Sequence, residues 1–238
     1  MVPLELSISQ TASFRRAQVL DPSVTSSPRC LEDLAAEFDR QEPLSTAFYK
    51  KFPTTPQATL QYWSDFWELW LDDAVSNGLS GTLTHPSGQL AGILVYRDLH
   101  YMPVGFEAKF LNHLNFMSAI LRLEAQMIEK LEPNHKEALG KVGKVYEIWG
   151  GAVVPEYLGK RILEKLIDFT DQLAVKKGFE YAYGYSVNAK SARSIKRRGY
   201  DQIAEGDAVS FETEGVRPFE FVEELHRHPS LWLKTLSK

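Results

Sequence analysis

The spacing of apolar positions changes several times along the chain, and each change predicts an element. Phe14–Leu20 reads as a short strand ended by the turn former Asp21-Pro22. From Arg29 to about Gln41, the residues Leu31, Leu34, Ala35 and Phe38 recur at helical spacing, and Pro43 is expected to stop that helix. A second helix is predicted to start at Thr55-Pro56, an N-cap residue followed by proline, and to run through Gln57–Val75 toward Asn77-Gly78. Leu79–His85 and Leu90–Tyr96 flank Pro86-Ser87-Gly88-Gln89 and read as a hairpin. Phe106, Phe110, Leu114, Met117 and Leu121 step at helical spacing and predict one long amphipathic helix over Phe106–Leu131, stopped by Pro133.

In the second half, strand and helix patterns alternate. A strand over Val145–Val154 precedes a helix over Leu158–Lys177, with Ile162, Leu163, Leu166, Ile167 and Leu173 on one face and Gly178 closing it. Phe179–Val187 is a further strand, Asn188–Arg198 a short helix ended by Gly199, and Tyr200–Glu212 another strand or pair. A hairpin followed by this alternation predicts an α/β fold with a mixed (α+β) sheet rather than an all-parallel one.

Composition narrows the class. With 238 residues, 44% hydrophobic and 24% charged, the chain can bury a substantial core, and no linker divides it. The Ser/Pro-containing stretch Asp21–Pro28 is too short to separate folding units, so a single domain over residues 1–238 is expected. The net charge of -4 gives no global attraction to nucleic acid or to an anionic membrane, so an anionic ligand must meet a local basic patch. Cys30 is the only cysteine, which rules out an intramolecular disulfide and leads to the expectation of a cytoplasmic protein. The first ten residues lack the basic and apolar regions of a signal peptide, and no uncharged stretch reaches the roughly 18 residues of a membrane span. Oligomeric state is not set by any of these features.

Chemistry concentrates between Val153 and Tyr200. At Val153-Val154-Pro155-Glu156-Tyr157-Leu158-Gly159-Lys160-Arg161-Ile162 a strand ends, a turn contains glycine, and a helix begins. Such a junction aims unpaired N–H groups and the positive end of a helix dipole at one point, which suits a pyrophosphate. Strand–turn–helix junctions with one glycine are common, however, and many are purely structural. One helix and one strand later come Asn188, Ser191 and Ser194, then Gly199-Tyr200. Lys160, Arg161, Lys165, Arg193, Lys196, Arg197 and Arg198 gather cations in these two helices of an otherwise acidic chain, part of them as an ordinary solvated face.

This pair of segments resembles the coenzyme motif of the GNAT superfamily of acetyltransferases, whose loop has the form Gln/Arg-x-x-Gly-x-Gly/Ala. The resemblance implies a GNAT-like fold, with a central, mostly antiparallel sheet splayed at a coenzyme-A cleft within about residues 145–212. It also implies acetyl-CoA as cosubstrate, bound by Val153, Val154, Leu158, Gly159, Lys160, Arg161, Ile162, Asn188, Ser191 and Ser194. Two positions depart from the pattern: Glu156 replaces Gln or Arg, and Arg161 replaces Gly or Ala. The tyrosine that many of these enzymes carry before the terminal glycine is here Ile195, leaving Tyr183 or Tyr185 to substitute if the strand turns them inward.

Upstream, Phe38-Asp39-Arg40-Gln41-Glu42-Pro43-Leu44 resembles the Phe-x-x-x-Glu-Pro-Leu segment of insect-type arylalkylamine and dopamine N-acetyltransferases. Asn77-Gly78-Leu79-Ser80, Gly92 and Ser191-Ala192-Arg193 agree in order, and the resemblance spans roughly residues 30–238, loosely over Met102–Lys144. It implies transfer of acetyl to the primary amine of a small arylalkylamine by direct attack in a ternary complex. Glu42 would be the general base, which Pro43 is expected to fix at a helix exit. The N–H groups near Val153 and Val154 would hold the oxyanion, and Ser191 would attend the leaving thiolate. Another acceptor (polyamine, amino acid or protein amine) and a non-catalytic coenzyme-binding protein remain open.

Tyr62, Trp63, Phe66, Trp67 and Trp70 share one helical face, as core or, through Tyr62 and Phe66, as a wall of the amine pocket. His226-Arg227-His228 could set two imidazoles on one side of a strand, but no Cys or carboxylate cluster completes a zinc set, and no metal is expected. Walker loops, Gly-x-Ser-x-Gly elbows and dinucleotide fingerprints are absent from the sequence.

Overall fold

A computed structural model describes residues 18–19, 36, 41–85, 89–111 and 115–236. The strand expected at Phe14–Leu20 is described only as β1 (Gln18–Val19). The helix expected over Arg29–Gln41 lies outside the described residues except at Ala36 and Gln41, both helical, and Cys30 also lies outside them.

Pro43 starts a helix instead of merely stopping one. Helix α1 (Pro43–Lys51) has the proline at its first position, where a missing N–H costs nothing, and Glu42 as N-cap, its carboxylate accepting the Ser45 N–H. Glu42 therefore stands at a helix entrance, not at the expected exit. Pro133 behaves in the same way at the start of α5 (Pro133–Leu139), a helix absent from the expectation.

Helix α2 (Pro56–Asn77) and the hairpin of β2 (Gly81–Thr84) and β3 (Leu90–Asp98) follow the sequence reading. The long helix expected over Phe106–Leu131 is divided into α3 (Phe106–Phe110) and α4 (Phe116–Glu129). The break has a local cause: Asn115 and Ser118 form a reciprocal capping box, Asn115 Oδ1 taking the Ser118 N–H at 2.9 Å and Ser118 Oγ taking the Asn115 N–H at 3.0 Å. Apolar spacing continued through the break because both helices face the same core.

Strand β4 (Val145–Val153) leads through a 3-10 turn, Pro155–Tyr157, to α6 (Ile162–Lys177), which begins later than expected. Then come β5 (Tyr181–Ser186), α7 (Ala189–Arg197) and β6 (Asp201–Glu205), a shorter strand than the pattern over Tyr200–Glu212 suggested. The last strand, β7 (Ser230–Thr235), was not expected and inserts between β5 and β6. The seven-stranded sheet has the order β1-β2-β3-β4-β5-β7-β6, antiparallel at every neighbouring pair except β4–β5. It is a mixed sheet of the α/β kind, mostly antiparallel, as expected.

Each face of the sheet is covered. On one side the aromatic residues of α2 and the apolar face of α4 pack on Ile93, Val95, Val145 and Tyr183. On the other, Ile162, Leu166, Ile167 and Phe169 of α6 pack on Leu94, Tyr96, Tyr146 and Ala182. On that side Asp171 gathers three donors, accepting from Tyr146, from Tyr200 at 2.8 Å and from Lys234 at 2.7 Å, which ties α6 to the sheet.

Candidate functional site

The parallel pairing of β4 with β5 runs from Val145 opposite Tyr181 to Ile148 opposite Gly184 and then stops. Beyond that point β4 stays with β3 and β5 stays with β7, so the two strands part and leave the β5-facing edge of β4 open. A bulge marks the same place. Val95 faces Gly150 while Tyr96 faces Ile148, so Trp149 is an extra residue that bends β4 where the gap begins.

Backbone direction within β4 follows from one bond. Val154 N–H donates to Ala91 O at 3.0 Å, so Val154 is spent on β3 and is not the oxyanion donor expected of it. Antiparallel alternation then turns the main-chain groups of Gly151 and Val153 toward the gap. Gln41 spans that gap: its Nε2 donates to Val153 O at 3.2 Å, and its own carbonyl accepts from Asn188 Nδ2 at 3.0 Å.

A cavity of about 1100 Å³, its open mouths included, fills the splay. Its walls come from Glu42, Trp63 and Phe66; from Phe116, Met117, Ile120 and Glu124 of α4; from Glu147–Ala152 of β4; and from Tyr185, Asn188 and Ser191. Glu42, Phe66, Asn188 and Ser191 are thus brought together. Tyr62 stands behind this wall, its hydroxyl accepting the Met117 N–H at 3.1 Å. Trp63, Phe66, Trp67 and Trp70 are core residues, each at most 2% exposed, and Trp63 and Phe66 also face the cavity.

The inner end of the cavity is acidic. Glu147 is ion-paired with Arg97, both side chains almost wholly buried, and the guanidinium lies 3.9 Å over the Trp149 ring. Glu124, also buried, accepts the Tyr183 hydroxyl at 2.6 Å. Burial, reinforced by the Glu147 charge, pushes the Glu124 carboxyl up to about 8, and burial raises Glu147 as well. Tyr185 turns inward, its hydroxyl without a hydrogen-bond partner among the described residues, and burial together with Glu124 and Glu42 raises it well above the ordinary phenol range. Glu124, Glu147 and Tyr185 were not among the sequence candidates, except Tyr185 as a conditional one. An acid among the apolar residues of α4, one helical turn after Ile120, was the readable signal for Glu124.

The turn before α6 is built for close approach. Gly159 has φ 78 with open space where a Cβ would lie, and Arg161 takes the left-handed conformation at φ 57. No side chain caps the N-terminus of α6, so its first N–H groups face outward with Ile162 buried beneath them. Arg161 does not crowd this end: its side chain is 74% exposed and its Nε lies 3.9 Å from Glu164. Gly159, Lys160 and Arg161 stand at the turn, outside the cavity wall, and Leu158 lines an adjoining depression shared with Gln41 and Asn188. By contrast the N-terminus of α7 is already satisfied, Asn188 Oδ1 accepting from Lys190 N at 2.9 Å and His226 Nδ1 from Ala189 N at 3.2 Å. Ser194 is partly buried on α7 and does not line the cavity. Arg197 and Arg198 are paired with Glu164 and Asp168, at 3.1 and 2.7 Å.

His226-Arg227-His228, which could have set two imidazoles on one side of a strand, instead begins in a 3-10 turn, Glu224–His226, with Arg227 bound to both carboxylate oxygens of Asp207. Among the described residues no group of three or more His, Cys, Asp or Glu side chains is placed to hold a metal, and no helix is long and apolar enough to cross a membrane.

Neither a family model nor a curated protein sequence matches the chain. Solved structures do. Arylalkylamine N-acetyltransferase 2 of Aedes aegypti superposes with a TM-score of 0.70 at 21% identity, over 94% of this chain and 99% of the other. The C-terminal condensation domain of Ebony, solved with β-alanyl-dopamine, gives 0.70 at 12% identity over 94% and 100%. The Drosophila melanogaster polyamine N-acetyltransferase, which forms N-acetylagmatine, gives 0.68 at 17% identity over 94% and 100%. The chain has the fold of the GNAT N-acetyltransferases, and it resembles the insect arylalkylamine enzymes among them.

Proposed function

We propose that the protein is an acetyl-CoA-dependent N-acetyltransferase that acts on the primary amine of a small molecule with an apolar or aromatic body. The observation that carries this reading is the open edge of β4 beyond Ile148, where Trp149, Gly150, Gly151 and Ala152 line a cavity that also holds Glu42. The residues fit the coenzyme. An extended arm can pair with the open edge, and the uncapped N-terminus of α6, with Gly159, Lys160 and Arg161 beside it, offers donors and charge to phosphates. Acetyl-CoA, when bound, supplies an acetyl thioester with an electrophilic carbonyl and a thiolate leaving group.

Within the cavity each residue has a definable task. An alkylamine has a pKa near 10 and arrives protonated, so the Glu42 carboxylate must take a proton from its nitrogen. The amide that Glu42 accepts from Ser45 fixes its orientation. The N–H groups of Gly151 and Val153 face where negative charge gathers on an acyl oxygen. Tyr185, held protonated by burial, serves as a hydrogen-bond donor toward the sulfur, with Ser191 as the second candidate. Trp63, Phe66 and Phe116 exclude water and accommodate the body of the amine.

Titration calorimetry with acetyl-CoA and a thiol-release assay over phenylethylamine, tryptamine, dopamine and aliphatic amines test the proposal. Absence of coenzyme binding removes it. Binding without release from any amine would favour a second reading, a coenzyme-binding protein without turnover, for which the Gln41 amide on Val153 O is the specific support.

A further inference from the structure

Beside the main cavity lies the depression that acetyl transfer itself does not use. Its volume is about 760 Å³, the open mouth included, which falls within the range of ordinary ligand pockets. Gln41 and Asn188 line both hollows, and Leu158 brings the turn before α6 into the wall of the second. The depression therefore adjoins the parted strands and the uncapped helix end at once.

Its wall suits a flat apolar group that carries an anion. Leu158 and Phe221 are 46% and 48% exposed, large apolar side chains left against water at a concave surface. Lys50 of α1 and Lys190 of α7 are exposed and have no ion-pair partner among the described residues, whereas Lys51 is paired with Glu220, and Arg197 and Arg198 with Glu164 and Asp168. One acid, Glu223, stands in the same wall. His226 adds no charge to it: the ring accepts the Ala189 N–H at 3.2 Å, and burial lowers its pKa below the ordinary imidazole value. Two uncommitted cations thus face a single carboxylate.

Coenzyme A has three parts: an extended pantetheine arm, a pyrophosphate, and an adenosine with a phosphate on its 3′ oxygen. The open β4 edge and the α6 turn take the first two under the acetyltransferase reading and leave the third without a place. An arm that leaves the main cavity past Gln41 and reaches Gly159–Arg161 runs along the rim of the depression at Asn188 and Leu158. Resting on that reading, we propose that the depression seats the adenosine 3′-phosphate, the adenine against Phe221 and Leu158 and the 3′-phosphate held by Lys50 and Lys190. Lys50 belongs to the helix that Glu42 caps, and Lys190 to the helix that carries Ser191. A phosphate shared by the two lysines draws these helices together, so the nucleotide end helps to close the cleft over the reacting end.

The test is calorimetric titration of acetyl-CoA, 3′-dephospho-acetyl-CoA and adenosine 3′,5′-bisphosphate at low salt. Two exposed lysine–phosphate contacts are expected to make acetyl-CoA bind about tenfold tighter than its dephospho form. With Lys50→Ala and Lys190→Ala combined, that ratio is expected to fall to about twofold or less, while Lys196→Ala, on another face of α7, keeps it. Phe221→Ala is expected to weaken all three ligands about fivefold, the low end for base–aromatic stacking. Each of these side chains is exposed, so thermal melts of the variants are expected to match the wild type. Equal affinity of the wild type for the two coenzyme forms, a ratio that survives loss of both lysines, a ratio that falls in Lys196→Ala instead, or unchanged affinities in Phe221→Ala would overturn the proposal. Absence of binding by either coenzyme form removes the acetyltransferase reading and the proposal with it, whereas binding of both forms at equal affinity overturns the nucleotide seat alone.

Discussion

The Gln41 side chain donates to the main-chain carbonyl of Val153 at 3.2 Å, closing the gap that the parting of β4 and β5 opens. A ligand that pairs with the β4 edge must displace this bond. Gln41→Ala is therefore expected to tighten acetyl-CoA binding about fivefold, the equivalent of about 1 kcal/mol for one neutral hydrogen bond. Calorimetry measures it, and weaker binding would mean that Gln41 holds the cleft in shape.

Glu42→Gln retains an oxygen for the Ser45 N–H and removes the proton acceptor. Turnover at neutral pH is expected to fall about 100-fold or more, with acetyl-CoA affinity and melting temperature little changed. Activity within a few-fold of wild type in a thiol-release assay would exclude Glu42 as the base.

Arg161→Gly should act in opposite directions on stability and binding. Relief of the left-handed backbone at φ 57 is expected to stabilise the fold by about 1 kcal/mol, or roughly 2–4 °C. Loss of an exposed cation beside the α6 N-terminus is expected to weaken acetyl-CoA binding a few-fold. Thermal melts with and without coenzyme separate the two effects.

Gly92→Ala tests how closely β3 supports that helix end. A Cβ at Gly92 would meet Ile162 Cγ2 at 2.7 Å and Ala152 O at 3.1 Å. Ile162 is the first residue of α6, so the substitution should cost about 1–3 kcal/mol and weaken coenzyme binding, as read by denaturant titration and calorimetry.

The buried acids should also set a pH dependence of stability. Glu124 lies near 4.5 when exposed and about 8 in the fold, so the native state binds the extra proton between those values. Its contribution is full below about pH 4.5 and is lost as pH rises through about 8; Glu147, raised by burial, acts in the same direction. Wild-type stability from urea titration is expected to decline by a few kcal/mol from about pH 5 to about pH 8, and Glu124→Gln to flatten that decline. An unchanged slope in the variant would show that Glu124 titrates normally.

Much of the architecture was legible because period and punctuation agreed. The hairpin, α2, the β4–α6–β5–α7 run and its glycine stops all follow from apolar spacing and helix-end residues. Proline misled twice, at Pro43 and Pro133, because the residue that cannot continue one helix is well suited to begin the next. The division at Asn115 was hidden because a polar cap does not interrupt an apolar stripe. In the site, Glu42, Asn188 and Ser191 were reachable from local motifs. Glu124 and Glu147 were not, since their significance arises only when α4 folds over β4 and removes both from water.

The extra residue at Trp149 gives β4 two halves of opposite parity. Before it, Val145 belongs to the core under α2 and α4, and Tyr146 to the core under α6; after it, Ala152 belongs to the former and Val153 packs on the latter. Odd positions thus serve one layer below Trp149, and even positions serve it above. A saturation scan along the strand should accordingly show a two-residue rhythm of tolerance whose phase inverts at Trp149, and deletion of that single residue would set Ile148 and Gly150 side by side opposite Tyr96 and Val95, keeping every other side chain in its layer while removing the bend.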